Sequence, residues 1–596
     1  MIPAIWRTPY SPFSGTAAEF PDDLTDETYT ALDFYSEKVC KEIRDNNFNG
    51  IWVHACFAHL VPGLFPELAP HIREQQQRLS ALIARCAKYG LKVYLYGQVL
   101  RSVSASNTAF WSKNPDCAGE EEYSTEISPD GERHRFKTIS LCPSSEKVRK
   151  HVFESASSLA SHFPDLGGVI LITATEFPGH CYQRRKKYDP DACYKKITCP
   201  SCSKREPWEV AADLITLFRD GIRSKSSDIK IIAWNWSWSM WLDAPCGKLI
   251  DLLPQDCILM ADFERGGKMD LPERNAHKIP EYSLMYPGPS EEFLQVYDIC
   301  KKRNMKMMSK LQLGTTHELG SIVAIPNIIS IYRKAKWHSE HPETGYMGCW
   351  NFGNFFSANT ASFHHFRQHC TEDKGEEEAL KDFAKEYFPG CDAEKLLSSW
   401  KIFYEAMRYL PFSIGPLYYG ITSCSPSCKN LFKPEALEGT FAGSSYQHFP
   451  ERGDDLSPAL VMHDHEFSLA EIIRGYGKCG ALWDAGTMLM EEALKNCSSP
   501  HGAEELGNAI LCGCCWNAAE NSYRVYALRK EWSDEKIYEF NHILTGEIAI
   551  LNKMLPYVSN DPRQGYHAEA GAYMFNKDII TEKIQYLQQY LHKEIL

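Results

Sequence analysis

Three acidic side chains, Glu176, Asp262 and Glu318, each follow an apolar, strand-like run of the sequence. Hydrolysis of a glycosidic bond needs a proton donor for the leaving oxygen and a carboxylate that activates water or attacks carbon. A carboxyl group that donates this proton normally has a pKa raised by an apolar pocket or by a neighbouring carboxylate. Glu176 is the strongest candidate for the acid, because it emerges where the run from Gly168 to Thr173 reaches the surface.

Each of these carboxylates also has a structural interpretation. Glu176 could be a solvated loop residue, and Glu318 could cap the helix that is expected to follow it. Asp262 and its neighbour Glu264 could form ordinary ion pairs with Arg265. The sequence alone leaves these alternatives open.

Substrate-binding residues are expected near the carboxylates, because other polar and aromatic side chains also follow predicted strands. The candidates are Arg7, His54, Arg101, Trp234, Trp236, Glu264, Trp350 and Asn351. Alternate residues of a strand face the same side, so Trp234, Trp236 and Trp238 are expected to share one face. These rings predict a wall on which a sugar stacks, with a buried aromatic stack as the alternative. Arg7 and Arg101 could bind a sugar carboxylate or hydroxyl groups.

Eight short β-rich runs alternate with helical sequence up to about residue 370. The predicted strands span residues 2–7, 50–55, 91–96, 168–173, 230–234, 257–261, 305–308 and 345–350. Strands separated by helices imply right-handed βαβ units and a parallel sheet. Because no glycine-rich phosphate turn follows the first strand, we favour a closed barrel over a doubly wound open sheet. We therefore predict an α/β fold with a (β/α)8 barrel over residues 1–370 and a site at the C-terminal ends of its strands.

The sequence after residue 370 has a different character. Strand-like runs give way to helical segments, which are predicted over residues 376–388, 396–409, 467–495, 504–528 and 533–554. A loop rich in glycine, proline and serine interrupts them between residues 414 and 458. Residues 371–596 are therefore expected to form a mainly α-helical C-terminal domain.

Four cysteines, Cys181, Cys193, Cys199 and Cys202, lie in the loop that follows Glu176. The last two form a C-x-x-C pair, and thiolates are preferred ligands of structural zinc. We predict a four-thiolate structural zinc site here and no organic cofactor, with incidental free thiols as the alternative. Four protein ligands leave no open coordination position, which disfavours catalysis by this metal.

Composition limits the partners of this chain. Its 596 residues carry a net charge of −13, which disfavours nucleic acid and anionic membranes as partners. No apolar run approaches the ~20 residues that span a bilayer. The 22 cysteines lie mostly within predicted strands and helices, as buried thiols do in a reducing compartment. Since no secretory signal is visible at the N-terminus, we expect a cytoplasmic protein, which could form a homo-oligomer.

Several short motifs resemble those of glycoside hydrolases with catalytic barrels. The segment Thr175–Gly179 resembles the strand-four acid motif of the family 67 α-glucuronidases. Asp262-Phe263 and Glu318-Leu319-Gly320 are similar to that family's paired water-activating carboxylates. The segment from Trp400 to Gly420 resembles helical regions appended to barrels related to families 20, 67 and 163. The chain departs from family 67 in lacking room for its N-terminal β-domain, and from family 20 in having Thr175-Glu176 in place of an Asp-Glu pair.

The resemblance implies an exo-acting glycoside hydrolase that cleaves a terminal sugar from an oligosaccharide or glycoconjugate. Glu176 would be the general acid, with Asp262 and Glu318 holding and deprotonating water in an inverting displacement. One alternative is a retaining N-acetylhexosaminidase for β-GlcNAc or β-GalNAc, in which Glu176 is the acid/base and Asp262 orients the acetamido group. Another alternative is a non-catalytic carbohydrate-binding barrel.

Overall fold

A computed structural model of the chain describes residues 2–11, 27–61, 63–127, 133–174, 179–189, 193–351, 354–370, 374–439, 441, 453–457, 460, 466–558, 564–567 and 572–591. The chain divides into two compact units. The first unit comprises Met1–Asp262, Glu291–Lys310 and Glu343–Gly348, and the second comprises Phe263–Ser290, Leu311–Pro342 and Cys349–Leu596. The predicted domain boundary at residue 370 marks the change from strand-rich to helical sequence. Each compact unit is instead built from three segments that alternate along the chain.

The strands of the described residues are short. They are β1 (Ala4–Trp6), β2 (Gly50–His54), β3 (Lys92–Gln98), β4 (Val103–Ser104), β5 (Ala118–Ile127), β6 (Arg133–Leu141), β7 (Gly168–Ile172), β8 (Lys230–Trp234), β9 (Ile258–Asp262), β10 (Lys268–Leu271), β11 (Arg274–Lys278), β12 (Lys306–Lys310), β13 (Gly345–Met347), β14 (Tyr566–His567) and β15 (Ala572–Tyr573).

Eight of these strands close into a parallel barrel within the first unit, in the order β1-β13-β12-β9-β8-β7-β3-β2. The predicted barrel is confirmed, and each of its strands overlaps a predicted strand. Strand β7 is apolar throughout, and its five residues are all buried. Parallel strands are covered on both faces and therefore form continuous hydrophobic runs rather than alternating ones.

The long insertion between β3 and β7 forms a small antiparallel sheet of its own. Its strand order is β4-β6-β5. Leu141, at the end of β6, donates its N–H to Gly179 O at 3.1 Å, and the next residue, Cys142, donates to Cys117 O at 2.8 Å. The first of these bonds joins the insertion to the segment that resumes after β7.

Along the sequence, the helices of the described residues first alternate with the barrel strands and then follow them. They are α1 (Glu27–Phe34), α2 (Glu37–Asp45), α3 (Ala69–Lys88), α4 (Thr108–Lys113), α5 (Glu146–His162), α6 (Pro207–Arg223), α7 (Gly247–Ile250), α8 (Glu291–Lys302), α9 (Ile328–Glu340), α10 (Ala358–His369), α11 (Glu376–Tyr387), α12 (Ala393–Met407), α13 (Leu469–Leu494), α14 (Pro500–Lys530), α15 (Ile537–Met554) and α16 (Lys577–Tyr590).

The second unit is mainly helical, which confirms the prediction for the C-terminal region. Its core contains large aromatic side chains from α12, α13 and α14. The rings of Phe403 and Trp483 are stacked with centroids 4.0 Å apart, and Trp516 meets Trp483 edge-on at 4.6 Å. Such offset and edge-to-face contacts are the favoured aromatic geometries, so they fix how these three helices pack. None of the helices in the described ranges combines the length and apolar composition that crossing a bilayer requires.

Candidate functional site

The carboxylate predicted at the end of the sixth barrel strand lies beside the tryptophan that ends the fifth. Trp234 is the last residue of β8 and Asp262 is the last residue of β9. Trp234 Nε1 donates a hydrogen bond to Asp262 Oδ1 at 3.0 Å, and both side chains are buried. The C-terminal end of the barrel therefore holds a carboxylate whose one oxygen is fixed by an indole.

A buried lysine ends the next strand of the barrel. Lys310 is the last residue of β12, is fully buried, and pairs in register with Asp262. The sequence pattern predicted that this strand ends at Met308, so Lys310 was not among the candidates. The available signal was a cation directly after an apolar run, at the position where barrel enzymes place functional side chains.

Arg7 is held by buried partners next to the end of β1. Its guanidinium forms an ion pair with Glu27, donates to Ser11 O at 2.6 Å, and lies 4.7 Å from the centre of the Trp52 ring. Glu27 Oε2 also accepts the N–H of His54 at 2.7 Å. Glu27 thus positions two of the predicted binding residues. No pattern in the sequence pointed to Glu27, because it opens a helix rather than following a strand.

His54 is neutral at physiological pH. Burial lowers its pKa well below the usual value, and the positive charges of Arg101 and Arg7 lower it further. Arg101 Nη2 lies 3.4 Å from His54 Nε2; a guanidinium only donates, so His54 Nε2 is the acceptor. Arg101 Nη1 has no hydrogen-bond partner within the described ranges, which leaves it able to bind an anionic or hydroxyl group.

Tyr96 connects the aromatic side chains near these residues. Its ring centroid lies 5.7 Å from Trp52, 5.6 Å from His54 and 6.0 Å from Trp234. The rings come from β2, β3 and β8 and are tilted or edge-on to one another. Tyr96 was not predicted as a site residue, because it lies inside a predicted strand rather than after it.

The expectation that Trp234, Trp236 and Trp238 share one strand face is wrong. The strand ends at Trp234, and Ser237 has a φ of 65° that turns the chain into a short 3-10 helix beginning at Trp238. Trp238 is fully buried and its Nε1 donates to Thr173 Oγ1 at 3.0 Å. Only Trp236 is half-buried, with its ring centroid 6.3 Å from that of Trp234. The alternation of side chains expected of a strand does not extend to Trp236 and Trp238, because the chain leaves the strand directly after Trp234.

Glu264 belongs to the second unit and forms a buried ion pair. Lys334 Nζ lies 2.5 Å from Glu264 Oε1, and both side chains are fully buried. The same ammonium donates to Ser283 O at 2.8 Å and to Gln312 O at 3.1 Å. Gln312 N–H in turn donates to Glu264 Oε1 at 3.2 Å. These bonds give Glu264 a structural role, whereas its predicted contact with substrate stays a prediction.

Glu318 is a fully buried carboxyl group of the second unit. Its Oε1 accepts hydrogen bonds from Ser283 Oγ and from the N–H groups of Leu284 and Met285, at 2.9, 2.9 and 3.1 Å. Burial raises its pKa from 4.5 to about 7, although these hydrogen bonds act in the opposite direction. Glu318 Oε2 has no hydrogen-bond partner among the residues that the structure describes. A carboxyl group with this pKa can both donate and accept a proton near neutrality.

Trp350 and Asn351 also belong to the second unit. Trp350 N–H donates to Gln312 Oε1 at 3.3 Å. Asn351 is fully buried, yet neither its side-chain oxygen nor its nitrogen has a partner in the part of the chain that the structure covers. Buried amides are almost always hydrogen-bonded, so Asn351 is suited to bind water or a polar ligand.

Glu176, the predicted acid, lies outside the described residues. On one side of it, Thr173 O lies 2.7 Å from His180 Nε2. Burial lowers the pKa of His180 to about 4, so this ring is neutral and donates to the carbonyl. The role of Glu176 stays a prediction.

The predicted cysteine group differs in one member. Cys181, Cys199 and Cys202 lie together with Cys142, and the four Sγ atoms are within 4.8 Å of one another. Cys193 lies elsewhere, with its Sγ 3.7 Å from Lys187 O. The sequence favoured Cys193 because it lies in the same loop as the others, whereas Cys142 comes from the end of the preceding sheet.

Comparisons with known proteins support the fold. No family model and no curated protein matches the sequence. The structure is similar to that of a GH138 enzyme targeting pectin rhamnogalacturonan II, with a TM-score of 0.54 and 10% identity over 98% of this chain and 82% of that chain. At this identity the likeness shows a shared fold alone.

Two further solved structures are more distant. One is an endo-beta-mannanase/endo-beta-glucanase from Prevotella bryantii, with a TM-score of 0.32 and 10% identity over 62% of this chain and 48% of that chain. The other is the glycoside hydrolase domain of PelA from Pseudomonas aeruginosa, with a TM-score of 0.27 and 10% identity over 59% of this chain and 96% of that chain. Neither carries an argument at these scores. The resemblance to families 67, 20 and 163 and the cytoplasmic location stay predictions.

Proposed function

We propose that this chain is an exo-acting glycoside hydrolase that removes a terminal sugar from an oligosaccharide or glycoconjugate. The observation that carries the proposal is the buried Asp262 at the C-terminal end of a closed parallel barrel, held by the Trp234 indole. Barrels of this type place their active sites at that end. Glycoside hydrolysis needs a carboxyl group that donates a proton and a carboxylate that activates water or attacks carbon.

The proposed roles follow the chemistry of each carboxyl group. Glu176 donates a proton to the leaving oxygen, Asp262 holds the attacking water, and Glu318 removes its proton. A base must be ionised and an acid protonated at the working pH. The raised pKa of Glu318, about 7, supports a part in proton transfer near neutrality.

A negatively charged sugar is supported as substrate by two features. Arg101 presents an Nη1 that is without a partner in the described ranges, and guanidinium groups bind carboxylates well. The GH138 enzyme that shares the fold targets pectin rhamnogalacturonan II. This analogy adds acidic plant glycans to the substrates worth testing.

Hydrolysis of a panel of substrates tests the proposal. The panel contains nitrophenyl glucuronides, sialosides, β-GlcNAc and β-GalNAc glycosides, and rhamnogalacturonan II oligosaccharides. We expect turnover of at least one member by the wild type and a loss of at least roughly 100-fold in Asp262→Asn, as for removal of a group that acts in the transition state. Asp256→Asn is the matched control, because Asp256 precedes the same strand, pairs with Arg219 and Arg223, and should leave turnover unchanged.

The other functions give different results in the same experiment. NMR of the released sugar identifies its anomer. Retention of the anomeric configuration would favour the N-acetylhexosaminidase mechanism over the inverting one. Binding of a glycan without turnover would indicate a carbohydrate-binding barrel. If no member of the panel is bound or hydrolysed, the proposal is overturned.

A further inference from the structure

We propose that Cys142, Cys181, Cys199 and Cys202 bind one Zn²⁺ ion in a closed tetrahedral site. The Sγ of Cys142 lies 3.5 Å from that of Cys199 and 3.7 Å from that of Cys202. All four sulfurs lie within 4.8 Å of one another, and all four side chains are buried. In the described part of the chain, this is the group whose geometry would hold a metal ion.

The spacing of the sulfurs fits zinc better than it fits disulfides. Zinc–sulfur bonds of about 2.3 Å in a tetrahedron place neighbouring sulfurs about 3.8 Å apart. A disulfide requires about 2.05 Å between its two sulfurs. Distances of 3.5 and 3.7 Å that meet at one thiol, Cys142, suit the edges of a coordination tetrahedron. In a disulfide, the Cys142 sulfur would bond to the sulfur of Cys199 or Cys202 and leave the other unbonded.

Polar groups also lie around the thiols. The Ser144 hydroxyl lies 3.4 Å from the Sγ of Cys202. The Cys199–Cys202 turn is closed by the Ser203 N–H, which donates to Cys199 O at 3.0 Å. Hydrogen bonds of this kind orient the ligands of a metal and tune them.

A carboxylate and a tyrosine hold the loop that carries the C-x-x-C pair. Glu120 Oε2 accepts the N–H groups of Thr198 and Cys199 at 2.8 and 3.0 Å. The Tyr182 hydroxyl lies 2.8 Å from Cys202 O and 2.6 Å from Arg205 O. The ligands are therefore fixed by groups that do not themselves bind the metal, as is typical of a preformed site.

Gly119 shows how closely the chain packs around the sulfurs. A Cβ atom at this position would lie 2.5 Å from Cys181 Sγ and 2.9 Å from Ser140 O. Both contacts are shorter than atoms tolerate, and the second involves backbone that cannot move aside easily. Only glycine leaves the Cys181 sulfur in place.

The proposed ion joins three separate chain segments of the first unit. Cys142 follows β6, Cys181 lies in the segment after β7, and Cys199 and Cys202 precede α6. The site is structural, because four protein ligands leave no position for water or substrate. Glu176 precedes Cys181 by only five residues in the sequence, so zinc would anchor the C-terminal side of the segment that carries this carboxylate.

Metal content and ligand identity test the proposal directly. We expect about one zinc per chain by elemental analysis of the purified wild type, and four sulfur neighbours at about 2.3 Å by zinc X-ray absorption. Cys193→Ser is the matched control and should keep both values, because its sulfur lies outside the group. Cys142→Ser should lose a sulfur neighbour or the metal. The opposite result, loss in Cys193→Ser and retention of four sulfurs in Cys142→Ser, would overturn the assignment of ligands.

A measurement on the wild type keeps the test decisive if Cys142→Ser does not fold. Cobalt exchanged into the site should give the absorption of a tetrahedral tetrathiolate complex, and removal of the metal by a chelator should lower the melting temperature. Absence of zinc together with a failure to bind cobalt would overturn the proposal, as would a disulfide detected between any two of the four cysteines. Neither readout depends on glycosidase activity.

Discussion

Trp234 Nε1 donates to Asp262 Oδ1 at 3.0 Å, so the last residue of one barrel strand fixes the carboxylate that ends the next. A hydrogen bond from a neutral donor to a carboxylate is stronger than one between neutral groups. It also orients the carboxylate, so that its lone pairs are directed consistently. Catalysis depends on such positioning, because a small misplacement of a reacting group slows the reaction greatly.

Trp234→Phe keeps an aromatic ring beside Asp262 but removes the donor. We expect kcat to fall roughly 10- to 100-fold, since a hydrogen bond to a charged group contributes about 1.5–3 kcal/mol. Trp241→Phe is the control, because Trp241 Nε1 donates instead to Arg185 O at 2.9 Å. Steady-state kinetics of both variants make the comparison, and equal losses would mean that the Trp234 bond has no special part in turnover.

Glu176→Gln tests the general acid that the sequence predicts. The amide keeps the shape of the side chain but cannot donate a proton, so turnover should fall roughly 10²–10⁴-fold for substrates with poor leaving groups. Aryl glycosides with acidic phenols need less protonation and should lose much less. Kinetics across a series of phenols give the dependence. Wild-type rates for all of them would exclude Glu176 as the acid.

Glu318 makes stability depend on pH in a defined window. Its pKa is about 7 in the folded chain against 4.5 when unfolded. Below pH 4.5 the carboxyl group is protonated in both states and has no effect on stability. As pH rises from 4.5 to 7, the unfolded chain loses this proton while the folded chain keeps it, so the fold is progressively destabilised. The total loss is roughly 3 kcal/mol at about 1.4 kcal/mol per pKa unit. Urea unfolding across this range should show a shallower fall in stability with pH in Glu318→Gln than in the wild type, because Glu505 still contributes in the variant.

Glu505 is the control residue for testing whether Glu318 takes part in catalysis. It is equally buried, burial raises its pKa to about 7, and it accepts the N–H of Ala358 at 2.7 Å. Glu505→Gln should change stability in the same pH range without changing the pH dependence of kcat/KM. Glu318→Gln should abolish the limb of that profile near pH 7. If the two variants have the same kinetic profile, Glu318 is a structural residue only.

The barrel could be predicted from sequence, because its strands are continuous apolar runs separated by amphipathic helices. Asp262 could also be predicted, since it ends such a run. The predicted end of β12 is wrong, because the strand continues to Lys310, and the strand period expected through Trp238 fails because β8 stops at Trp234. These ends depend on turns such as the left-handed Ser237, which hydrophobic periodicity does not report.

Side-chain contacts between segments that are distant in the sequence could not be predicted. Cys142 is 39 residues from Cys181 in the sequence, and the segments that carry them are joined by a hydrogen bond from the Leu141 N–H to Gly179 O. Glu27 likewise meets Arg7 and His54 through packing of a helix against barrel strands. Without an alignment of relatives, a single sequence contains no signal for such pairs.

The buried pair Glu264–Lys334 should contribute to stability rather than to substrate affinity. Removing one partner leaves an uncompensated buried charge, which costs about 3–5 kcal/mol. We therefore expect Lys334→Met to be strongly destabilised, and Lys334→Met combined with Glu264→Leu to recover most of the loss. Urea unfolding measures both. The exposed pair Lys395–Glu492 is the control, and Lys395→Met should change the free energy of unfolding little.

A rise in KM for Glu264→Gln at unchanged stability would instead support the predicted contact of Glu264 with substrate.

Trp236 and Trp238 lie two residues apart and should respond to substitution in opposite ways. Trp236 is half-buried beside Trp234, whereas Trp238 is fully buried and donates to Thr173 Oγ1. Trp236→Ala should raise KM roughly 5- to 30-fold, as expected when a ring that packs against a sugar is worth about 1–2 kcal/mol, with little change in melting temperature. Trp238→Ala should destabilise the fold by about 3–5 kcal/mol through the cavity it leaves, and its KM should be normal at temperatures where it remains folded. Calorimetry and steady-state kinetics on the same preparations separate the two effects. If Trp236→Ala is destabilised and binds substrate normally, the ring is part of the core and the sugar must be held by other side chains.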